Sequence, residues 1–207
     1  MKKRRASVPV PATAATVADA VVADMLRAGA VGVLPTDTVY GIVGSALRKD
    51  AVEKIYRLRR RDLRKPMIIL IASARELARF GIAPAAAQRE VLRRVWPGKV
   101  SVVLPCLGRK FGYLHRGTRS LAFRVPDAAW LRRLLAATGP LVAPSANFEG
   151  GPPAKTVSAA RRYFKDRVAF YGDVGRLDSR PSTLISITPA GRITVLREGA
   201  VAAGRLV

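Results

Sequence analysis

Cysteine and histidine are almost absent: Cys106 and His115 are the single representatives of each in 207 residues. One cysteine excludes an intramolecular disulfide, and the two residues offer no cluster with zinc-ligand spacing. A reducing, cytoplasmic setting without a protein-held metal is the expectation. Acidic side chains are scarce as well, 14 Asp plus Glu against 37 Lys plus Arg, which leaves +23. No apolar run reaches the ~18 residues of a membrane-spanning helix, so no membrane partner is expected. The phosphate-binding loops GxxxxGK(S/T) and GxGxxG are missing too. Any phosphate bound here has to be held by arginines and loop amides.

What is present is an ordinary globular composition, 49% hydrophobic, in a chain long enough for one well-buried α/β domain. The excess of arginine points to acidic partners, nucleotide or nucleic acid, because the planar guanidinium binds phosphate bidentately. A solvated basic surface accounts for the same charge. The start, MKKRRASVPVPATAAT, is basic and Ala-rich like a transit peptide. Pro9 and Pro11 interrupt it and no apolar core follows, so residues 1–15 read as a flexible basic tail and residues 16–207 as the domain.

From Thr16 the apolar positions Val17, Val21, Val22, Met25 and Leu26 repeat at helical spacing until Gly29, and a strand over Ala30 to Leu34 follows. Asp50 with Glu53, and Ser73 with Glu76, read as capping boxes of two further helices, and MIILIA (Met67 to Ala72) reads as a buried strand between them. A helix from Pro84 to near Trp96 precedes two strands, VSVVLP and SLAFRVP. Between these, Leu107 to Thr118 reads as a mobile Gly-containing loop. Asp127 and Thr156 read as caps of later helices. Strands over Val168 to Tyr171, Thr183 to Ile187 and Ile193 to Leu196 complete the count. The last two form a hairpin, so the sheet is mixed.

Four polar segments lie at strand ends: Thr36 to Tyr40, Arg57 to Lys65, Ser145 to Lys155 and Pro181 to Thr183. Loops in that position carry the ligands of open α/β sheets. By itself LPTDTVYGIVG is equally a turn whose Thr and Asp bond their own backbone.

In order along the chain, PTDTVYGI, RRRDLRKP, WPGKVSVVL, LAFRVP, PSANFEG, PSTLIS and LREGAV resemble the PT(D/E)TVYGL, KxRPxxxP, WPGPxT, xAxRxP, SANxSG, STxxx and LRxGxx segments of the threonylcarbamoyl-AMP synthase family, the YrdC-like proteins. The resemblance runs over residues 16 to 200. It implies a twisted mixed sheet flanked by helices with a concave basic ligand cleft. It also implies a nucleotidyltransferase reaction that joins L-threonine, bicarbonate or CO2, and ATP into threonylcarbamoyl-AMP and pyrophosphate for tRNA modification. Mg2+ would arrive with ATP, and the product would pass to a downstream tRNA threonylcarbamoyl-transfer machinery.

Carried over by position, Thr36, Arg124, Ser145 and Ser182 correspond to residues that hold threonine. Arg59, Arg61, Lys65, Ser120, Asn147, Lys155 and Arg197 correspond to the nucleotide side, with Arg61, Ser145 and Asn147 closest to the chemistry. Tyr40 reads as a packing residue and Asp37 as a turn former. Three departures stand out: Arg59 and Asp62 replace the family's lysine and proline, Glu149 stands where SANxSG has serine, and Leu70 stands where many members are polar. Two rival readings use the same residues. One is a non-catalytic RNA-binding module, suggested by the charge and opposed by the low aromatic content. The other is a related carbamoyl-adenylate enzyme that does not use threonine.

Overall fold

Apolar recurrence at helical spacing gives the first helix, α1 (Val17–Arg27), which buries Val22, Ala23 and Leu26 and turns at Gly29 with φ +93°. The computed structural model describes residues 7–9 and 17–206. Among these residues ten strands form one sheet: β1 (Ser7–Pro9), β2 (Gly32–Leu34), β3 (Gly41–Ser45), β4 (Ile68–Leu70), β5 (Val100–Pro105), β6 (Ser120–Arg124), β7 (Leu141–Val142), β8 (Tyr171–Asp173), β9 (Thr183–Ile187) and β10 (Ile193–Arg197), in the order β1-β8-β2-β3-β7-β4-β6-β5-β9-β10. The helices α2 (Lys49–Arg59), α3 (Ala86–Val95), α4 (Gly112–His115), α5 (Ala129–Thr138) and α6 (Val157–Phe164) complete a mixed α/β fold.

Alternation along the strands sends successive side chains to two cores. Val33, Ile42, Ile69 and Phe123 belong to the larger one, built with α2, α3 and α6. Leu34, Val43, Leu70 and Leu141 pack with Leu26 of α1 and Leu131 and Leu135 of α5. On that second face the helices stop short of β6, β5 and β9, where Ala122, Val103, Leu184 and Ser186 stay half-exposed.

Several local expectations are corrected. β3 pairs antiparallel with β2 and was not foreseen, because GIVGS has too few branched or aromatic residues to signal a strand. The 107–118 segment is a folded element: a 3₁₀ turn (Arg109–Phe111) and α4 bury Phe111, Leu114 and His115. Neither Asp50 nor Glu53 caps α2, since Asp50 pairs with Arg48 and Glu53 with Arg116. Ser73 makes no side-chain cap, although Glu76 accepts the Ala72 N–H at 2.7 Å. Asp127 does not cap α5 either. Thr156 does cap α6, accepting the Ala159 N–H at 3.1 Å, and the β9–β10 hairpin forms as read. Within the segment read as a tail, Ser7–Pro9 pairs parallel with β8, and the rest of 1–15 lies outside the described residues.

Candidate active site

The β2–β3 turn is built around one hydroxyl. Thr36 Oγ1 accepts the N–H groups of Thr38 and Val39 and donates to the Val39 carbonyl at 2.7 Å, which closes PTDTV into a rigid loop. Beside it, Ser145 bridges Gly41, and Ser182 sits just before β9 with its Oγ 2.9 Å from Ser101 Oγ. Arg124 ends β6. These four residues, all carried over as threonine contacts, line one cavity of ≈ 50 Å³ together with Arg197. Its hydroxyl and guanidinium lining suits a small polar ligand.

Tyr40 is packing, as read: it is fully buried, donates its hydroxyl proton to the Gly175 carbonyl at 2.6 Å and accepts the Val174 N–H at 3.1 Å.

Two arginines, Arg124 and Arg197, line the cavity. Arg124 is 3% exposed, and burial pulls its pKa down against the opposing pull of Asp37. Asp37 pairs with Arg124 Nη1 through one carboxylate oxygen and accepts the Asp127 N–H through the other at 2.9 Å. It therefore aims the guanidinium, a role its turn-forming chemistry concealed at the sequence level. Arg197 donates to the Ser182 carbonyl at 2.7 Å, and its pKa is lowered by burial and by Arg61 and Arg124 nearby. Among the described residues, Arg124 Nε in the cavity wall is buried without a hydrogen-bond partner, as are Arg59 Nη1 and Arg116 Nε outside it. Orphaned buried donors of this kind cost several kcal/mol unless an acceptor arrives. The arrangement suits an anion.

Arg59 is 3% exposed and works as a brace. Its Nε donates to the Asn147 carbonyl at 3.1 Å, and Nη2 reaches Ser145 Oγ and Asn147 Oδ1, each at 3.4 Å. Burial, with Arg61 adding to it, brings its pKa down to about 10. Asn147 donates to the carbonyls of Phe148 and Gly151, so its side chain pins the PSANFEG loop from within. Arg61 holds the neighbouring loop, with Nε on the Lys65 carbonyl at 3.0 Å and Nη2 on the Pro66 carbonyl at 2.9 Å.

Glu149 joins the two loops. It accepts the Asp62 N–H at 2.6 Å and the Lys65 ammonium at 3.0 Å, and lies 4.0 Å from Arg61. The Asp62 N–H and Lys65 hold its carboxyl below the usual carboxylate range. The residue that departs from the family's serine thus neutralises two cations read as phosphate ligands.

Ser120 and Lys155, carried over to the nucleotide side, do not line this cavity. Ser120 shares a face with Ala122 and Arg124 but starts the strand that Arg124 ends, ~13 Å away at ~3.3 Å per residue, and its hydroxyl turns to Thr118. Lys155 pairs with Asp178 at 3.2 Å on the surface. Leu70 is fully buried against α1 and α5, and Ile68 takes the cleft position instead. Gly199 was not singled out: a Cβ there would meet the Pro181 carbonyl at 2.2 Å and the Ser182 carbonyl carbon at 2.5 Å, so glycine lets LREGAV seat the serine.

With this geometry in place, comparison with known proteins is specific. The Sua5/YciO/YrdC family model, described as "Telomere recombination", matches residues 24–199. A threonylcarbamoyl-AMP synthase of Marinobacter nauticus is 39% identical over 166 residues, covering 77% of this chain and 86% of that protein. The threonylcarbamoyl-AMP synthase of Bacillus subtilis is 34% identical over 156 residues, 74% of this chain and 45% of its own. The crystal structure of P. abyssi Sua5 complexed with L-threonine superposes with a TM-score of 0.81 at 27% identity, covering 91% of this chain and 56% of that one. This chain therefore spans about half the length of that solved protein. A match of this extent, on a fold that gathers Thr36, Arg124, Ser145 and Ser182 into one cavity, means that the chain belongs to the Sua5/YciO/YrdC family.

Proposed function

We propose that the protein is an L-threonylcarbamoyladenylate synthase, joining L-threonine, bicarbonate or CO2, and MgATP with release of pyrophosphate. The observation that carries this reading is the convergence of four hydroxyl residues and two arginines on one small cavity, with Arg61 near enough to Arg197 to lower its pKa. The threonine amine captures CO2 as a carbamate. A carbamate oxygen attacks the α-phosphorus, and the bond from that phosphorus to pyrophosphate breaks. No cysteine or histidine nucleophile is needed. Arg124 takes the threonine carboxylate, Ser182 reads its hydroxyl, and Thr36, whose own hydroxyl is committed to the turn, forms the wall of the pocket. Arg197, Arg61 and Lys65 face the phosphates, and Mg2+ travels with the nucleotide as part of the substrate. The product serves tRNA threonylcarbamoyladenosine modification in the cytoplasm and passes to a separate transfer machinery, with surplus surface charge available for tRNA or other RNA.

Amino-acid dependence of pyrophosphate release tests the reading. Threonine is expected to exceed valine in kcat/KM by as much as ~10⁴-fold, because a site that bonds a hydroxyl leaves its own polar groups unpaired against the apolar analogue. Equal values for the two would remove the hydroxyl from recognition. Release indifferent to any amino acid would favour a carbamoyl-adenylate enzyme of another kind.

Glu149 makes a second expectation. Its carboxylate competes with ATP phosphates for Lys65 and Arg61, so Glu149→Ser is expected to lower the KM for MgATP by ~3-fold to ~10-fold, the worth of a screened pair near the surface. Its depressed pKa means that the clasp stabilises the fold above the usual glutamate range and is lost as pH falls through the folded value. The stability difference between wild type and Glu149→Ser should accordingly vanish in acid. A raised KM with a greater Mg2+ requirement would contradict the competition.

A further inference from the structure

A second hollow, ≈ 480 Å³, lies between the start of the 3₁₀ turn Ala74–Phe80, α3 and the start of α5. Its floor is apolar: Ala72, Pro84, Leu92, Trp96, Pro97 and Val125. Four arginines, Arg75, Arg89, Arg93 and Arg132, stand around it. Arg93 and Arg132 are matched by Glu90 and Asp127, whereas Arg89 reaches only the Pro84 carbonyl at 2.7 Å and Arg75 makes no ion pair among the described residues. The first three arginines are exposed.

We infer that this groove is a docking surface for an acidic amphipathic segment of a partner protein. The chemistry selects that occupant. An apolar floor of this size takes the hydrophobic anchors of a helix, and a rim of arginines takes the carboxylates flanking them. Single-stranded RNA fits worse, because it needs aromatic faces to stack on. Trp96, the one aromatic residue here, is 7% exposed and its indole N–H is spent on the Val100 carbonyl at 2.8 Å.

The groove also adjoins the catalytic cleft. Val125 follows Arg124, and Arg132 lies 3.7 Å from Asp127, whose N–H is held by the same Asp37 that aims Arg124.

The probe is a fluorescein-labelled helical peptide of about 18 residues, with leucine at i, i+3, i+4 and i+7 and glutamate at most other positions. Fluorescence anisotropy is expected to give saturable binding with a Kd on the order of micromolar. Arg75→Glu/Arg89→Glu should weaken it ~10-fold or more. Arg57→Glu/Arg162→Glu, the same charge change on exposed positions of α2 and α6, should leave it within about twofold. A scrambled peptide of identical composition should bind ~10-fold more weakly. Unchanged thermal melting shows that each variant is folded. Absence of saturable binding would overturn the proposal, as would equal loss in both double variants or equal affinity of the scrambled peptide. Displacement of the peptide by an RNA oligonucleotide whose own binding is lost in Arg75→Glu/Arg89→Glu would overturn it in favour of a nucleic-acid surface.

Discussion

Asp37→Ala is expected to destabilise the protein by about 3–5 kcal/mol, the cost of leaving a buried guanidinium without its counter-charge. The Arg124 and Asp37 side chains are 4% and 3% exposed, and removing the carboxylate strands both Arg124 and the Asp127 N–H. Urea denaturation measures the loss directly. The double variant Asp37→Leu/Arg124→Leu separates folding from function. Replacing a buried pair by apolar residues of similar size is often neutral, so most of the stability should return, whereas threonine-dependent turnover should not. An Asp37→Ala cost below about 1 kcal/mol would show that the pair is solvated. Full activity in the double variant would remove Arg124 from the threonine site.

Arg61→Ala is expected to cut pyrophosphate formation by on the order of 10²-fold or more, the loss typical of one preorganised electrostatic contact. The guanidinium does two things in this fold. Its Nε and Nη2 tie the loop from Arg60 to Pro66 to its own carbonyls, and its charge reaches Arg59 and Arg197 across the cleft. Arg61→Lys keeps the charge and loses the fork. If both functions count, lysine should recover less than about tenfold of the lost kcat while the KM for MgATP stays raised. Full recovery by lysine would assign the residue a purely electrostatic role, and unaltered turnover of Arg61→Ala would exclude it from the site.

The sequence carried most of the architecture because helical repeats such as Val17 to Leu26 and apolar runs such as MIILIA encode burial directly. It missed β3, whose two glycines in five residues leave no strand signature, and it misjudged the caps. Capping depends on where a helix begins to within one residue, and Asp50 and Glu53 found arginine partners first. In the site, Thr36, Arg124, Ser145 and Ser182 were legible as motif positions and do converge. Asp37 was hidden because aspartate beside threonine is ordinary turn chemistry, and only the approach of β6 supplies its arginine. The same holds for Glu149, whose partners Asp62 and Lys65 lie more than eighty residues upstream. Ser120 and Lys155 were motif matches that do not line the cavity these four share.

The central claim is a chemical one, that this cleft makes a mixed anhydride of threonine carbamate and adenylate. The direct measurement is mass spectrometry of a reaction containing protein, MgATP, L-threonine and ¹³C-labelled bicarbonate. The account predicts a threonylcarbamoyl-adenylate ion that carries the label and requires threonine, formed together with pyrophosphate and absent with Arg124→Ala. Persistent absence of that ion, beside an active control synthase under the same conditions, would contradict it.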